Sequence, residues 1–318
     1  MLKNFLICLL LSCSVSMFAE GVLIGNIYYL LDYSNKTAKV TYTNGFSPAY
    51  NPNNYEGLET INIPTSVPFN GINYMVTEIG DSAFYMCSSL IQISISKEIK
   101  IIGKDALLTC PRLQYIYVDG ASKFFCSEDN VLFNKSKTSL IKYPRAKQAT
   151  SYSIPKEVKF IESRAFCYCT HLSSINIPSG IVEIREGAFS DCQGLLSLSI
   201  PNSVKIIGKG AFSNCRKISK IIVPNQVERI EDSAFNLCWS LKVIEIGSGV
   251  KEVGKSLFSH CKNLEAVICH AIIPPVISCD CLTAFMQSDK AILYVHKESL
   301  SLYKEATGWR KFGQIESL

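Results

Sequence analysis

Fourteen cysteines and four histidines carry most of the reactive chemistry available to this 318-residue chain. A thiol beside an imidazole becomes a nucleophile, and Cys and His at short spacing hold zinc. The chain contains Cys167-x-Cys169-x-His171, His260-Cys261, Cys269-His270 and Cys279-x-Cys281. A second pattern overrides these local ones. Cys169, Cys192, Cys215, Cys238 and Cys261 recur every 23 residues, each three residues after a phenylalanine, and Cys87 and Cys110 keep the same interval between themselves. A side chain at one fixed place in every repeat points inward with all its equivalents. In-register neighbours about 4.8 Å apart are too distant for the ~3.8 Å Cβ separation of a disulfide, so the column reads as free thiols packing as small hydrophobes. His171 and His270 fall at solvent positions, and no metal or cofactor is expected. Nucleophile elbow, Gly-rich phosphate loop and H-E-x-x-H stretch are missing, and Glu228, Glu231 and Asp232 read as a solvated face. The expectation is that the protein is not an enzyme. A disulfide among the off-column Cys126, Cys269, Cys279 and Cys281 stays open.

What positions these residues is the repeat itself. The units 158–178, 181–201, 204–224, 227–247 and 250–270 align on the pair Ala-Phe, or Leu-Phe in the last, and 77–96 and 100–119 are earlier copies. Seven units at such a period predict a solenoid, in which each coil buries its apolar positions only against its neighbours. Within a unit, Leu172-x-x-Ile175-x-Ile177 alternates as a strand with Ser174 and Asn176 outside. Val204-x-x-Ile207-Gly208 predicts a second short extended segment ending in a turn. Phe189 would then fill the corner between them, stacked on its equivalents, while Ala188 leaves room for the next coil. From Cys110 to Cys169 the interval is 59 residues, a surplus of 36 over one period. The surplus contains apolar runs flanking Asn134-Lys135-Ser136-Lys137, which predicts a hairpin or an expanded repeat at about 120–155.

Composition sets the outer limits. With 47% apolar and 19% charged residues and a net charge of +5 without a basic block, the chain is ordered, and nucleic acid is not an expected partner. Residues 1–19 read as an export signal: Lys3, an apolar run from Phe5 to Leu11, and a cleavage site after Ala19. Leu10-Leu11-Ser12-Cys13 offers the alternative of a lipid on Cys13, the one membrane attachment expected.

The motif I-G-x-x-A-F-x-x-C-x-x-L-x-x-I-x-I-P, seven times over, resembles the BspA-like (Treponema pallidum type) group of bacterial leucine-rich-repeat surface proteins. The resemblance implies a mainly β, right-handed leucine-rich-repeat solenoid of 23-residue coils at 76–273, with a β-rich N-terminal cap at 20–75 and a small C-terminal cap at 274–318. It also implies a cell-surface or outer-membrane location, or secretion. The function it implies is non-catalytic binding or adhesion to an extracellular protein or polysaccharide, by a monomeric chain. A carbohydrate-capture lipoprotein of a nutrient-uptake system is the alternative.

Binding would use exposed strand positions, where two places depart from small polar residues. Tyr115 and Tyr117 put two aromatics on one face, and Lys220, Lys242 and Glu245 form a charged group some coils on. Trp239, after its ladder cysteine, would be a further anchor if exposed. A continuous face of seven strands would offer about 500–600 Å², below the ~800 Å² per partner of a standard protein interface.

Overall fold

The computed structural model describes residues 21–42, 55–277 and 290–318. Each 23-residue unit makes one coil with three walls. In unit 204–224 these are the two-residue strand Ile206–Ile207, a corner through Cys215, and the longer strand Lys220–Val223. Equivalent residues pair in parallel one period apart: Glu183 with Ile206, Ile206 with Arg229, Arg229 with Glu252. On the long-strand wall Lys220 pairs with Val243 and Val243 with Ala266. The result is a β-solenoid.

The corner explains the Ala-Phe pair. Alternate N–H groups there bond to the next coil, Gly187 to Lys209 O, Phe189 to Ala211 O and Asp191 to Ser213 O, each at 2.8 Å. Aiming successive N–H groups along the stack needs left-handed backbone at two places four residues apart: Gly187 and Asp191 (φ 60° and 61°), then Gly210 and Asn214 (φ 58° and 61°). Gly, Asn and Asp tolerate this conformation. Thr109 holds the same place at φ 58°, and its buried hydroxyl finds no hydrogen-bond partner among the described residues. A β-branched residue with φ above zero is strained, and an unmade buried hydrogen bond adds to the penalty. Thr109→Gly is therefore expected to stabilise the protein by about 1 kcal/mol after the entropy of glycine is subtracted, measured as a raised urea midpoint with an unchanged slope.

Between the corners runs a stacked aromatic column. Ring centroids are 5.0 Å apart for Phe166 and Phe189, 5.3 Å for Phe189 and Phe212, 5.8 Å for Phe212 and Phe235, and 6.4 Å for Phe235 and Phe258. Tyr143 tops this column, 5.1 Å from Phe166, and Tyr55 stands 5.1 Å from Phe84 in the earlier coils.

One interruption, at the surplus segment, crosses all three walls. The surplus segment forms an antiparallel meander, Phe125–Glu128, Val131–Asn134 and Ser139–Lys142, whose last strand pairs in parallel with Phe160–Ile161. It is a hairpin and an extra coil at once, with Tyr143 in the phenylalanine place. Ile101–Ile102 pairs with Glu78–Ile79 and belongs to a different sheet from the meander. The corner ladder runs from 82–86 to 104–108 and restarts with Tyr143 N–H to Ala165 O. The apolar core is accordingly double. Leu132 faces the first core, while Val131 and Phe133 face the second.

The long-strand wall is not the single face expected from the period. It divides into three sheets, 60–62 with 92–95 and 115–118, then 151–153 with 174–176, then 220–223 through 314–317. The meander makes the first break. At the second, Leu196-Ser197-Leu198-Ser199 forms no strand. It lacks the β-branched and aromatic residues of its equivalents, such as Lys220-Ile221-Ile222-Val223, that favour a pleated ladder.

The ends are covered. Strands Val22–Ile24, Ile27–Asp32 and Thr37–Thr41 form an antiparallel sheet joined to Ile72–Ile79 at the first coil. Over the last coil, Trp309 Nε1 donates to Pro275 O and Tyr303 OH to Ala271 O, both at 2.8 Å. Such covers hide apolar columns that would otherwise meet water. Among the described residues no helix is long and apolar enough to cross a membrane. The expected export signal with Cys13, and Cys279 and Cys281, lie outside the described residues.

Candidate binding face

The ladder thiols are buried, and five of them donate to a phenylalanine carbonyl. Cys192 Sγ donates to Phe166 O at 3.0 Å, Cys215 to Phe189 O at 3.3 Å, Cys238 to Phe212 O at 3.3 Å, and Cys261 to Phe235 O at 3.1 Å. Cys110 does the same toward Phe84 O at 3.1 Å. The period identifies these cysteines as packing; it does not reveal that the S–H of these five closes a phenylalanine carbonyl of the previous coil. Burial pushes the Cys167 thiol up to about 11 and Cys169 up to about 12, and holds Cys192 well above the ordinary range. A raised thiol pKa means less thiolate, the reactive form. Because Cys126 alone of the ten described cysteines is not buried, iodoacetamide at pH 8 should modify it first, and the ladder only after denaturation. Mass mapping of the alkylated peptides reads this out; rapid labelling of Cys192 or Cys215 would contradict it.

Cys126 and Cys269 are both free thiols. They are not neighbours near the C-terminus: Cys126 sits in the meander, and Cys269 lies on the strand Ala266–Cys269, several coils further along the stack. At about 4.8 Å per coil they are far beyond bridging distance. Tyr303 OH lies 3.1 Å from Cys269 Sγ. His171 is exposed, and the rings of His270 and His296 are 5.9 Å apart. Among the described residues no group of three His, Cys, Asp or Glu could hold a metal ion.

Tyr115 and Tyr117 do project from one strand into solvent, 37% and 44% exposed. Their rings lie parallel within 4°, centroids 6.2 Å apart. Register places Gln92 beside Tyr115 and Ser94 beside Tyr117, with Thr60 and Asn62 one strand further on. The small sheet thus presents two aromatic rings flanked by amide and hydroxyl groups. Arg112 and Glu59, paired at 3.1 Å, border it.

Lys220 and Glu245 lie on another sheet, beyond both breaks, and Lys242 immediately precedes one of its strands, so the structure does not bring them to the tyrosines. Their charges are also paired: Lys220 with Glu245 at 2.7 Å and Lys242 with Glu265 at 3.3 Å. Exposed pairs of this kind contribute about 0–1 kcal/mol. Trp239 is in a turn and partly exposed, with the Arg216 guanidinium 4.0 Å and the Lys262 ammonium 5.6 Å from its ring centre. These cations were legible in the sequence, since Arg216, Trp239 and Lys262 each follow a ladder cysteine.

Comparison with known proteins places this geometry. The chain resembles the solved structure of the pneumococcal vaccine antigen PcpA, at 18% identity and TM-score 0.57 over 94% of this chain and 99% of that one. A leucine-rich cell surface protein from Faecalibacterium prausnitzii A2-165 is 20% identical with TM-score 0.52, covering 78% of this chain and 94% of that one. A leucine-rich repeat protein from Eubacterium ventriosum ATCC 27560 is 19% identical with TM-score 0.51, covering 93% and 92%. At these identities the likeness concerns the fold. A sequence search among curated proteins found no match. The BspA type leucine rich repeat region matches in six copies over residues 53–139 and 142–265, so the chain belongs to the BspA-type leucine-rich repeat family, a repeat family and not an enzyme family.

Proposed function

We propose that this protein is an exported, non-catalytic binding or adhesion module that contacts an extracellular polysaccharide or protein through the face carrying Tyr115 and Tyr117. The observation that carries the reading is the exposed, parallel tyrosine pair on a rigid sheet. Aromatic rings anchor interfaces because they bury large area at little cost in side-chain entropy. A three-stranded sheet is small, so the contact is modest in area and gains from many copies displayed on one surface. Trp239 with Lys220, Lys242 and Glu245 would form a separate, secondary contact.

The hydroxyl and amide groups beside the rings favour a second reading, carbohydrate capture by a lipoprotein. Mass spectrometry of the mature N-terminus separates the two, since that reading needs a lipid on Cys13. The main test is binding of the purified protein to extracellular-matrix proteins and to bacterial and host polysaccharides. Tyr115→Ala/Tyr117→Ala should lower affinity at least tenfold, about 1.4 kcal/mol, while changing stability by no more than about 1 kcal/mol. Binding that ignores the double substitution would move the site off this face.

A further inference from the structure

We propose that the seam between the two stacks is a binding site for a small amphiphilic monoanion, a carboxylate on an apolar body, with the Lys142 ammonium as its counter-ion. A cavity of about 410 Å³ opens where the coil ladder fails, between the corner of the second coil and the meander. Pockets of this size hold small organic ligands. Ile102, Phe125, Leu132 and Ile141 supply apolar walls.

The charges around it decide the ligand. Arg164 is consumed by both oxygens of Asp105, at 2.9 Å each, and by Glu186 at 2.8 Å. Lys104 lies 4.0 Å from Glu186, and Glu162 pairs with Arg185. Lys142 is the lining charge with no ion pair among the described residues. It is only 8% exposed, and its ammonium donates to one acceptor, Arg164 O at 3.0 Å. An ammonium has three donors, and a buried charge wants both hydrogen bonds and a counter-charge. One ligand carboxylate supplies both. Asp105, Glu162 and Arg164 are engaged in pairs of their own, so the one unpaired lining cation suits a single anionic head. This site is separate from the tyrosine face and stands or falls without it.

The test is calorimetric titration of the purified protein with hexanoate, octanoate and 4-phenylbutyrate, each beside its uncharged amide. At least one acid should bind saturably, one per chain, with its amide about tenfold weaker or more. Lys142→Met should abolish the difference between acid and amide. Should that variant fail to fold, Ile141→Phe, which narrows the cavity, should weaken the acid and the amide together. Silence of all three acids at ~10 mM, equal binding of acid and amide, or acid binding unchanged in a folded Lys142→Met protein would each overturn the proposal.

Discussion

Phe212→Ala is expected to destabilise the protein by about 3–5 kcal/mol, the usual range for emptying a phenylalanine site in a packed core. Phe212 is fully buried in mid-column, stacked between Phe189 and Phe235 at 5.3 and 5.8 Å. Removing it leaves a void that cannot collapse, because the corner hydrogen bonds fix the distance between coils. Two stacking contacts vanish with it, each worth about 0.5–1.5 kcal/mol beyond area. The loss should concentrate in adjoining coils, since each repeat touches only its neighbours. Phe212→Leu is the informative control. The second coil already carries Leu107 at this place, so leucine should cost clearly less than alanine. Urea unfolding followed by far-UV circular dichroism measures both. A loss under about 1.5 kcal/mol for Phe212→Ala would mean that the coils can close up, against the rigidity argued from the corner ladder.

Much of this architecture can be read from the period. The phenylalanine column, the buried thiols and the outward tyrosines all follow from residues holding one place in every coil. Trp239 between Arg216 and Lys262 follows equally, although it takes a second column to notice. What the period cannot reveal is where coils part. Leu196 to Ser199 keep the apolar pattern yet form no strand, because strand pairing depends on side-chain shape as well as on alternation. The seam is hidden for another reason. Arg164 reaches Asp105 across 59 residues, and that meeting exists only because the meander lets the third coil approach the second. Lys142 looks like an exposed strand residue and is buried by the same rearrangement.

The seam also sets how the molecule should come apart. Arg164 joins Asp105 of the first stack to Glu186 of the second, with all three side chains partly shielded from water. Arg164→Met would leave two carboxylates without their shared cation, at a cost of about 2–3 kcal/mol, below the 3–5 kcal/mol of a fully buried pair. Where that cost falls matters more than its size. The two apolar cores are distinct, and among the described residues no sheet or corner ladder crosses between them except through the meander. A weakened seam should therefore convert one cooperative transition into two, with the smaller first stack melting earlier. The chain's two tryptophans, Trp239 and Trp309, both belong to the second stack. Their fluorescence reports that stack alone, whereas far-UV circular dichroism reports both. In the unsubstituted protein the two signals should coincide; in Arg164→Met the dichroism should fall first. Adding Asp105→Asn removes one stranded charge and should restore part of the lost stability. Coincident transitions in Arg164→Met would show that the meander alone couples the stacks, leaving the ion pair a minor contact.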